Sequence, residues 1–299
     1  MSERVKVGVI GVGHMGRLHL RKLLALPEAE VVGAVEPSAE KREALKSEFP
    51  VRFYETVSEV LFDSDAVVIS TPTATHFSLA KQALAAGVDV LVEKPATETL
   101  AEAEELCAFA EANQRILQVG LLERHRLAAF QPLPTPNFVS IVRHTDRVGR
   151  EPMVDVVQDL MIHDLDLLLS IYGEEPTRIE ALAWKTISPT FDIAHAWMDF
   201  ASGRRAYLSA SRVSPVRERK IEWWSREGHL ILDLQAGTFD ALGAELSDFL
   251  KCVASRTAPK VDGRSALRCQ RLLQNVLASL PDVASVPAST FEIRTSHEV

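Results

Sequence analysis

The chain has 299 residues, of which 46% are hydrophobic and 25% charged, an ordinary globular composition that argues against long disorder. At roughly 100–200 residues per domain it is long enough for two domains. A formal net charge of −8 speaks against a nucleic-acid groove, which carries a basic excess, and gives no reason to expect binding to an anionic membrane.

No apolar run approaches the roughly 20 residues of a membrane span. Met1-Ser2-Glu3-Arg4 leads straight into an apolar strand pattern, so no signal peptide is expected. Cys107, Cys252 and Cys269 are far apart and form no CxxC pair, which supports neither a disulfide framework nor a zinc site. Reduced thiols and a cytoplasmic location are the expectation.

Strand and helix patterns alternate over residues 1–120. Val5–Ile10 is a strand, His14–Leu26 a helix, Glu30–Val35 a strand and Ala39–Phe49 a helix. Asp65–Ser70, His76–Ala86, Val88–Val92, Leu100–Asn113 and Ile116–Val119 continue the alternation. Apolar strands separated by helices imply βαβ units and a parallel sheet covered on both faces. After Gly120 the pattern changes. Pro132, Pro134 and Pro136 mark an irregular connection. Strand-like stretches follow at Phe138–His144, Thr177–Thr186, His195–Phe200, Arg205–Arg212 and Lys220–Trp224, with helices at Val157–Ile171, Phe239–Ser255 and Ser265–Ser279. Ser202-Gly203 reads as a hairpin turn. Residues 121–299 therefore read as an α+β domain with an open, mostly antiparallel sheet.

Gly11-Val12-Gly13-His14-Met15-Gly16 is a GxGxxG between a strand and a helix. Gly11 permits the tight turn, Gly13 lets backbone N–H groups approach a pyrophosphate, and Gly16 allows close helix–sheet packing. The helix N-terminus favours phosphate. Glu36 stands 20 residues after Gly16 at the end of the second strand. A carboxylate there accepts ribose hydroxyls and repels a 2′-phosphate, which favours NAD over NADP. Lys41 and Arg42 nearby keep NADP as the lesser option. In a doubly wound sheet ligands lie outside the C-terminal strand ends, so Thr71-Pro72-Thr73 with His76, and Glu93-Lys94 before Pro95, should face the cofactor. His76 could equally be a helix-start residue, and Lys94 could be a surface ion pair.

Asp159, His163 and Asp166 would fall within about 60° on one face of an α-helix. A carboxylate one turn before a histidine can orient the imidazole and favour its protonated form, which suits a general base. No clustered third His or Cys supports a metal.

GVIGVGHMG, Glu36, STPTATH, Glu93-Lys94-Pro95 and the Asp159, His163, Asp166 spacing, in this order, resemble the glucose–fructose oxidoreductase / inositol dehydrogenase / MocA family, and the stretch Leu242–Leu280 is similar too. The resemblance implies a Rossmann domain, an α/β domain whose open sheet makes oligomer contacts, and NAD(P)-dependent oxidation of a sugar or polyol hydroxyl. It implies Lys94 as catalytic lysine, Asp159 as the motif aspartate and His163 as acid/base. Within the family, Val119-Gly120-x-x-Glu123-Arg124, Arg143-His144, Arg150 and Asp155–Asp164 resemble the UDP-N-acetylglucosamine 3-dehydrogenases, which oxidise the sugar 3-hydroxyl to a ketone in making lipid A with 3-amino sugars. His125-Arg126-Leu127 departs from the family's aromatic-Asn-Pro. A nucleotide sugar would bring two phosphates, for which Arg124, Arg143 and Arg150 are the candidate partners, with Arg126 and Arg147 beside them. A homo-oligomer, dimer or tetramer, is expected; Trp184, Trp197, Trp223 and Trp224 fit either an interface or a core. The alternatives are a dehydrogenase of a free sugar, inositol or dihydrodiol, and a non-catalytic dinucleotide sensor.

Overall fold

The computed structural model describes residues 4–130, 132–146 and 154–281. The apolar runs become β1 (Val5–Ile10), β4 (Ala66–Ile69) and β5 (Asp89–Glu93), which need cover on both faces and take the centre of a parallel sheet. With β2 (Ala29–Val35), β3 (Phe53–Tyr54) and β6 (Leu117–Gly120), the order is β3-β2-β1-β4-β5-β6. The winding reverses between β1 and β4, and a crevice at that switch point is where such a sheet takes ligands.

The flanking helices are α1 (His14–Ala25), α2 (Ala39–Lys46), α3 (Val57–Asp63), α4 (His76–Ala85) and α5 (Leu100–Ala112). Thr56 with Glu59, and Thr99 with Glu102, form capping boxes that start α3 and α5. β3 and α3 are not anticipated by the hydrophobic pattern. Two and seven residues are too short to establish a period.

The second sheet has order β12-β11-β7-β10-β9-β8. Its strands are β7 (Phe138–His144), β8 (Pro176–Trp184), β9 (Ile193–Phe200), β10 (Arg205–Ser211), β11 (Glu218–Ser225) and β12 (Gly228–Asp233). β7 and β10 pair in parallel and the other neighbours antiparallel, as expected for a mostly antiparallel sheet. Ser202-Gly203 turns β9 into β10, with Gly203 at φ +81°. β12 escapes the sequence reading because four of its six residues in a row are exposed at the sheet edge and show no alternation. One face of this sheet covers α7 (Ile162–Tyr172) and α9 (Gly263–Ser279).

One of the last helices does not stay with the second sheet. Leu246, Phe249 and Leu250 of α8 (Ala241–Ser255) enter the core built from β1 and α1. Val119 N–H donates to the Val261 carbonyl at 3.1 Å, tying the α8–α9 connection to β6. Glu245 of α8 is fully enclosed in this seam, and burial followed by the nearby Glu93 charge raises its carboxyl well above the ordinary range.

A buried ion pair ties the β8–β9 loop to the segment that enters the site. Arg212 Nε donates to Asp192 Oδ1 at 2.8 Å, and Arg212 Nη1 donates to the Val154 carbonyl at 2.6 Å. Asp155 Oδ1 accepts the Phe191 N–H at 2.8 Å. Burial alone would raise the Asp192 carboxyl, but bonds from Ser188, the Ile187 and Thr186 amides and Arg212 hold it well below the usual carboxylate range. Its stabilising contribution is therefore full above the ordinary value of 3.8 and is lost as the pH falls below it. Replacing Asp192 with Ala leaves the Arg212 guanidinium buried and unpaired, and chemical denaturation should register a loss of about 3–5 kcal/mol.

Candidate active site

The glycine loop is shaped by contacts that admit no side chain. Gly11 has φ +92°, and a Cβ there would lie 2.7 Å from Thr71 Cγ2. A Cβ on Gly16 would overlap the Gly11 carbonyl oxygen. Gly13 differs, because a Cβ on it would meet nothing within 4 Å. The protein itself does not require glycine at this position. It opens α1, where no side chain caps the first amides. An uncapped helix N-terminus beside an open cradle fits the pyrophosphate of a dinucleotide.

Glu36 follows β2 at the edge of this cradle and accepts the Ser38 amide at 2.9 Å. Arg42 is held by neighbouring acceptors. Its Nη1 donates to the Glu36 and Pro37 carbonyls at 2.8 and 2.7 Å, and it pairs with Glu55. His14 is exposed at the start of α1 and Met15 half-buried; Thr71, Pro72 and Thr73 lie at the end of β4.

His76 takes another role than facing the cofactor. It is buried, with Nδ1 2.9 Å from the Pro95 carbonyl and Nε2 2.8 Å from the Thr71 carbonyl. The ring clips two cofactor-side loops together. Glu93 likewise points inward. Its Oε1 lies 2.7 Å from Nε2 of His19, a fully buried residue of α1, and its Oε2 accepts the Lys94 amide at 3.3 Å. His19 has no sequence signal beyond its place three residues after the last glycine of the loop.

Lys94 extends from the end of β5 to the second domain. Its Nζ donates to the Asp159 carbonyl and to Asp159 Oδ1, each at 2.8 Å. Asp159 lies in a π-helical turn, Val157–Met161, that precedes α7. The expected regular α-helix is thus corrected. The wider turn shifts Asp159 out of register with His163, and its polar groups go to Lys94 instead of the imidazole. His163 Nδ1 is buried without a hydrogen-bond partner among the described residues. Asp166 leaves the expected stripe as well. It is fully buried against Arg124, whose Nε and Nη2 reach its two oxygens at 2.8 and 2.5 Å, and burial raises its carboxyl to about 6 despite that cation.

The expected phosphate-binding arginines are largely occupied. Arg124 spends Nε and Nη2 on Asp166 and Nη1 on the Lys260 carbonyl. Arg143 is buried, with Nε and Nη2 on Asp164 at 2.9 and 2.6 Å and Nη1 on Glu123 at 3.1 Å. Two buried carboxylates hold it too firmly for it to serve as a free anion receptor. Arg147 and Arg150 lie outside the described residues. Among the described residues there is no cluster of His, Cys, Asp and Glu that could hold a metal ion, and no helix long and apolar enough to cross a membrane.

The described family "Oxidoreductase family, NAD-binding Rossmann fold" matches residues 5–121, and "GFO/IDH/MocA C-terminal domain" matches residues 127–231. The chain belongs to the GFO/IDH/MocA oxidoreductase family. It is 34% identical over 297 residues to UDP-N-acetylglucosamine 3-dehydrogenase from Acidithiobacillus ferrooxidans, covering 88% of this chain and 93% of that one. A solved structure of that enzyme superposes with a TM-score of 0.88 at 31% identity, covering 93% of this chain and 98% of the other. Inositol 2-dehydrogenase from Rhizobium meliloti is 29% identical, over 70% of this chain and 69% of the relative. As a GFO/IDH/MocA member the protein is a dehydrogenase with a dinucleotide-binding domain, and Gly11, Gly13 and Gly16 are the residues whose geometry fits the dinucleotide.

The charges around His163 set its chemistry. Burial, and then the cations Lys94, Arg143 and Arg219, hold the imidazole well below its ordinary value of 6.5. The folded protein therefore disfavours the imidazolium form of His163. The unfolded chain protonates this residue as the pH falls below 6.5, so the ring costs stability there. His163→Gln should flatten the loss of thermal stability between neutral pH and about pH 5.

Proposed function

We propose that the protein oxidises a secondary hydroxyl of a sugar to a ketone with NAD, and that the substrate is a UDP-N-acetyl-amino sugar reacting at its 3-hydroxyl. The observation that carries the reading is the Lys94–Asp159 pair beside His163. A cation at the end of β5 and an imidazole on α7, close enough for the charge of one to act on the other, support it. The 34% identity to a UDP-N-acetylglucosamine 3-dehydrogenase supports the substrate. Glu36 at the cradle, with Arg42 tied to backbone carbonyls, supports NAD over NADP.

When bound at the Gly11–Gly16 loop, the dinucleotide supplies the hydride acceptor. The protein's residues handle the proton and the developing charge. An ammonium has three N–H donors, and Asp159 takes two of those of Lys94. The third is left for the alcohol oxygen, where it stabilises alkoxide character. Since Nδ1 of His163 is enclosed, Nε2 receives the hydroxyl proton. Asp159 holds the ammonium in place. His19 through Glu93, and His76 through the Pro95 carbonyl, fix the strand end that carries Lys94.

The assay is reduction of NAD, followed by absorbance, with UDP-N-acetylglucosamine, myo-inositol and free N-acetylglucosamine as substrates. The nucleotide sugar should react fastest, and NADP should substitute poorly. Lys94→Ala and His163→Ala should each lower kcat by roughly 10²–10⁴-fold. Near-normal turnover in both variants would rule out the mechanism. The likeness to inositol 2-dehydrogenase supports a second reading, a free polyol as substrate, and faster reaction with myo-inositol would favour it.

The expected homo-oligomer has a candidate surface. The outer face of the second sheet carries an aromatic ladder over all six strands, Trp184 on β8, His195 and Trp197 on β9, Tyr207 on β10, Phe138 on β7, Trp224 on β11 and His229 on β12. Trp197 is 53% and Leu182 51% exposed on this face. Trp223 points the other way and is buried, donating from Nε1 to the Pro134 carbonyl at 2.7 Å. An apolar face of this extent, flanked by charges of both signs, fits the same face of a second copy. Trp197→Glu should turn the dimer or tetramer measured by light scattering into a monomer.

A further inference from the structure

Beside His163 lies a set of charges that do not balance. Glu123 of α6 (Glu123–Ala128) is buried and receives three guanidinium groups: Arg143 Nη1 at 3.1 Å, Arg219 Nη1 at 3.0 Å and Arg126 Nε at 3.2 Å. Asp164 is the other carboxylate, and among the described residues its hydrogen bonds come from Arg143. Among the described residues, three guanidinium charges thus face two carboxylates, and burial raises the Asp164 carboxyl, which weakens its share of the compensation.

The surplus charge sits on the two arginines that reach solvent. Arg143 is 3% exposed, whereas the Arg219 side chain is 34% and that of Arg126 19% exposed. Among the described residues, Arg219 spends one donor nitrogen, on Glu123, and the rest of its fork has no partner. Burial and the neighbouring Arg143 disfavour its charged form. A guanidinium pressed by like charges, partly dehydrated and left with spare donors is set up to take an anion from outside. Arg219 belongs to β11, on the same face as the buried Ile221 and Trp223, and is one of three cations whose charges reach His163.

We propose that Arg219, with Arg126 beside it, receives a negatively charged group of the substrate, a phosphate or a sugar carboxylate, next to the catalytic imidazole. This rests on the proposed sugar oxidation and names the part of the substrate that the second domain reads. Docking of the anion balances the surplus charge. It also offsets the cations that depress the basicity of His163, so the charged substrate helps ready the base that deprotonates it.

The experiment compares wild type with Arg219→Gln and Arg219→Lys on three substrates: uncharged N-acetylglucosamine, UDP-N-acetylglucosamine, and its 6-carboxylate counterpart. NADH fluorescence titration shows that the variants are folded. The Gln variant should lose roughly tenfold or more in kcat/KM on a charged substrate relative to the neutral one, mainly through KM, and Lys should recover part of it. Equal losses on both nucleotide sugars identify the diphosphate as the anion; a loss confined to the carboxylate substrate identifies that group. An equal effect on neutral and charged sugars, or none on either charged one, overturns the proposal. If wild type turns over none of the three, the sugar-oxidation reading fails by itself. The anion site is then judged by titrating UDP and glucuronate with NAD saturating: binding of either that weakens at least tenfold in Arg219→Gln upholds it, and binding that is absent or unaffected overturns it.

Discussion

The contact on which the site depends is the reach of the Lys94 ammonium from one domain to Asp159 of the other. Two hydrogen bonds to one residue, one to its side chain and one to its backbone, fix the amine in direction as well as position. Asp159 makes both bonds from within the π turn, where its backbone carbonyl and its side chain both face the Lys94 amine. Lys94 and Asp159 are half-buried, so their attraction is screened less than that of a fully exposed pair.

Behind that contact the protein invests buried charge in positioning. Arg143 with Asp164 and Glu123, Arg124 with Asp166, and Arg212 with Asp192 each place a guanidinium among carboxylates beneath the surface. Such pairs are weak contributors to stability compared with apolar packing, and removing one partner is costly. Their common feature is location. Each one braces a segment that enters the cleft: α6, α7, or the approach to the π turn. His19, against Glu93, and His76, between two loop carbonyls, do the same on the cofactor side.

The fold was legible where burial forces a pattern. Strands covered on both faces must be apolar throughout, and those of the first sheet stood out. The glycine loop was equally plain, since its three glycines answer to turn, cradle and packing. β12, at an exposed edge, and the short β3–α3 segment gave no such signal. In the candidate site, Lys94, Asp159 and His163 were singled out from residue type, spacing and the family resemblance. Their partners were not, because the assumption of an unbroken α-helix placed Asp159 against the imidazole and counted Asp166 as part of the stripe. Arg143 was taken for an anion receptor since sequence shows a charge and not its counter-charges, which arrive from residues 123 and 164.

From its sequence alone this protein was bound to have a dinucleotide-binding parallel sheet, a second mostly antiparallel sheet, and a lysine, an aspartate and a histidine available for chemistry. These follow from periodicity, turn residues and residue type, all of which are local. Which arginines are spent and which are spare, which face of the second sheet stays aromatic and open, and whether Asp159 serves the imidazole or the ammonium were decided by tertiary structure. Charge compensation and burial are sums over neighbours brought together from distant parts of the chain, and no local stretch contains them.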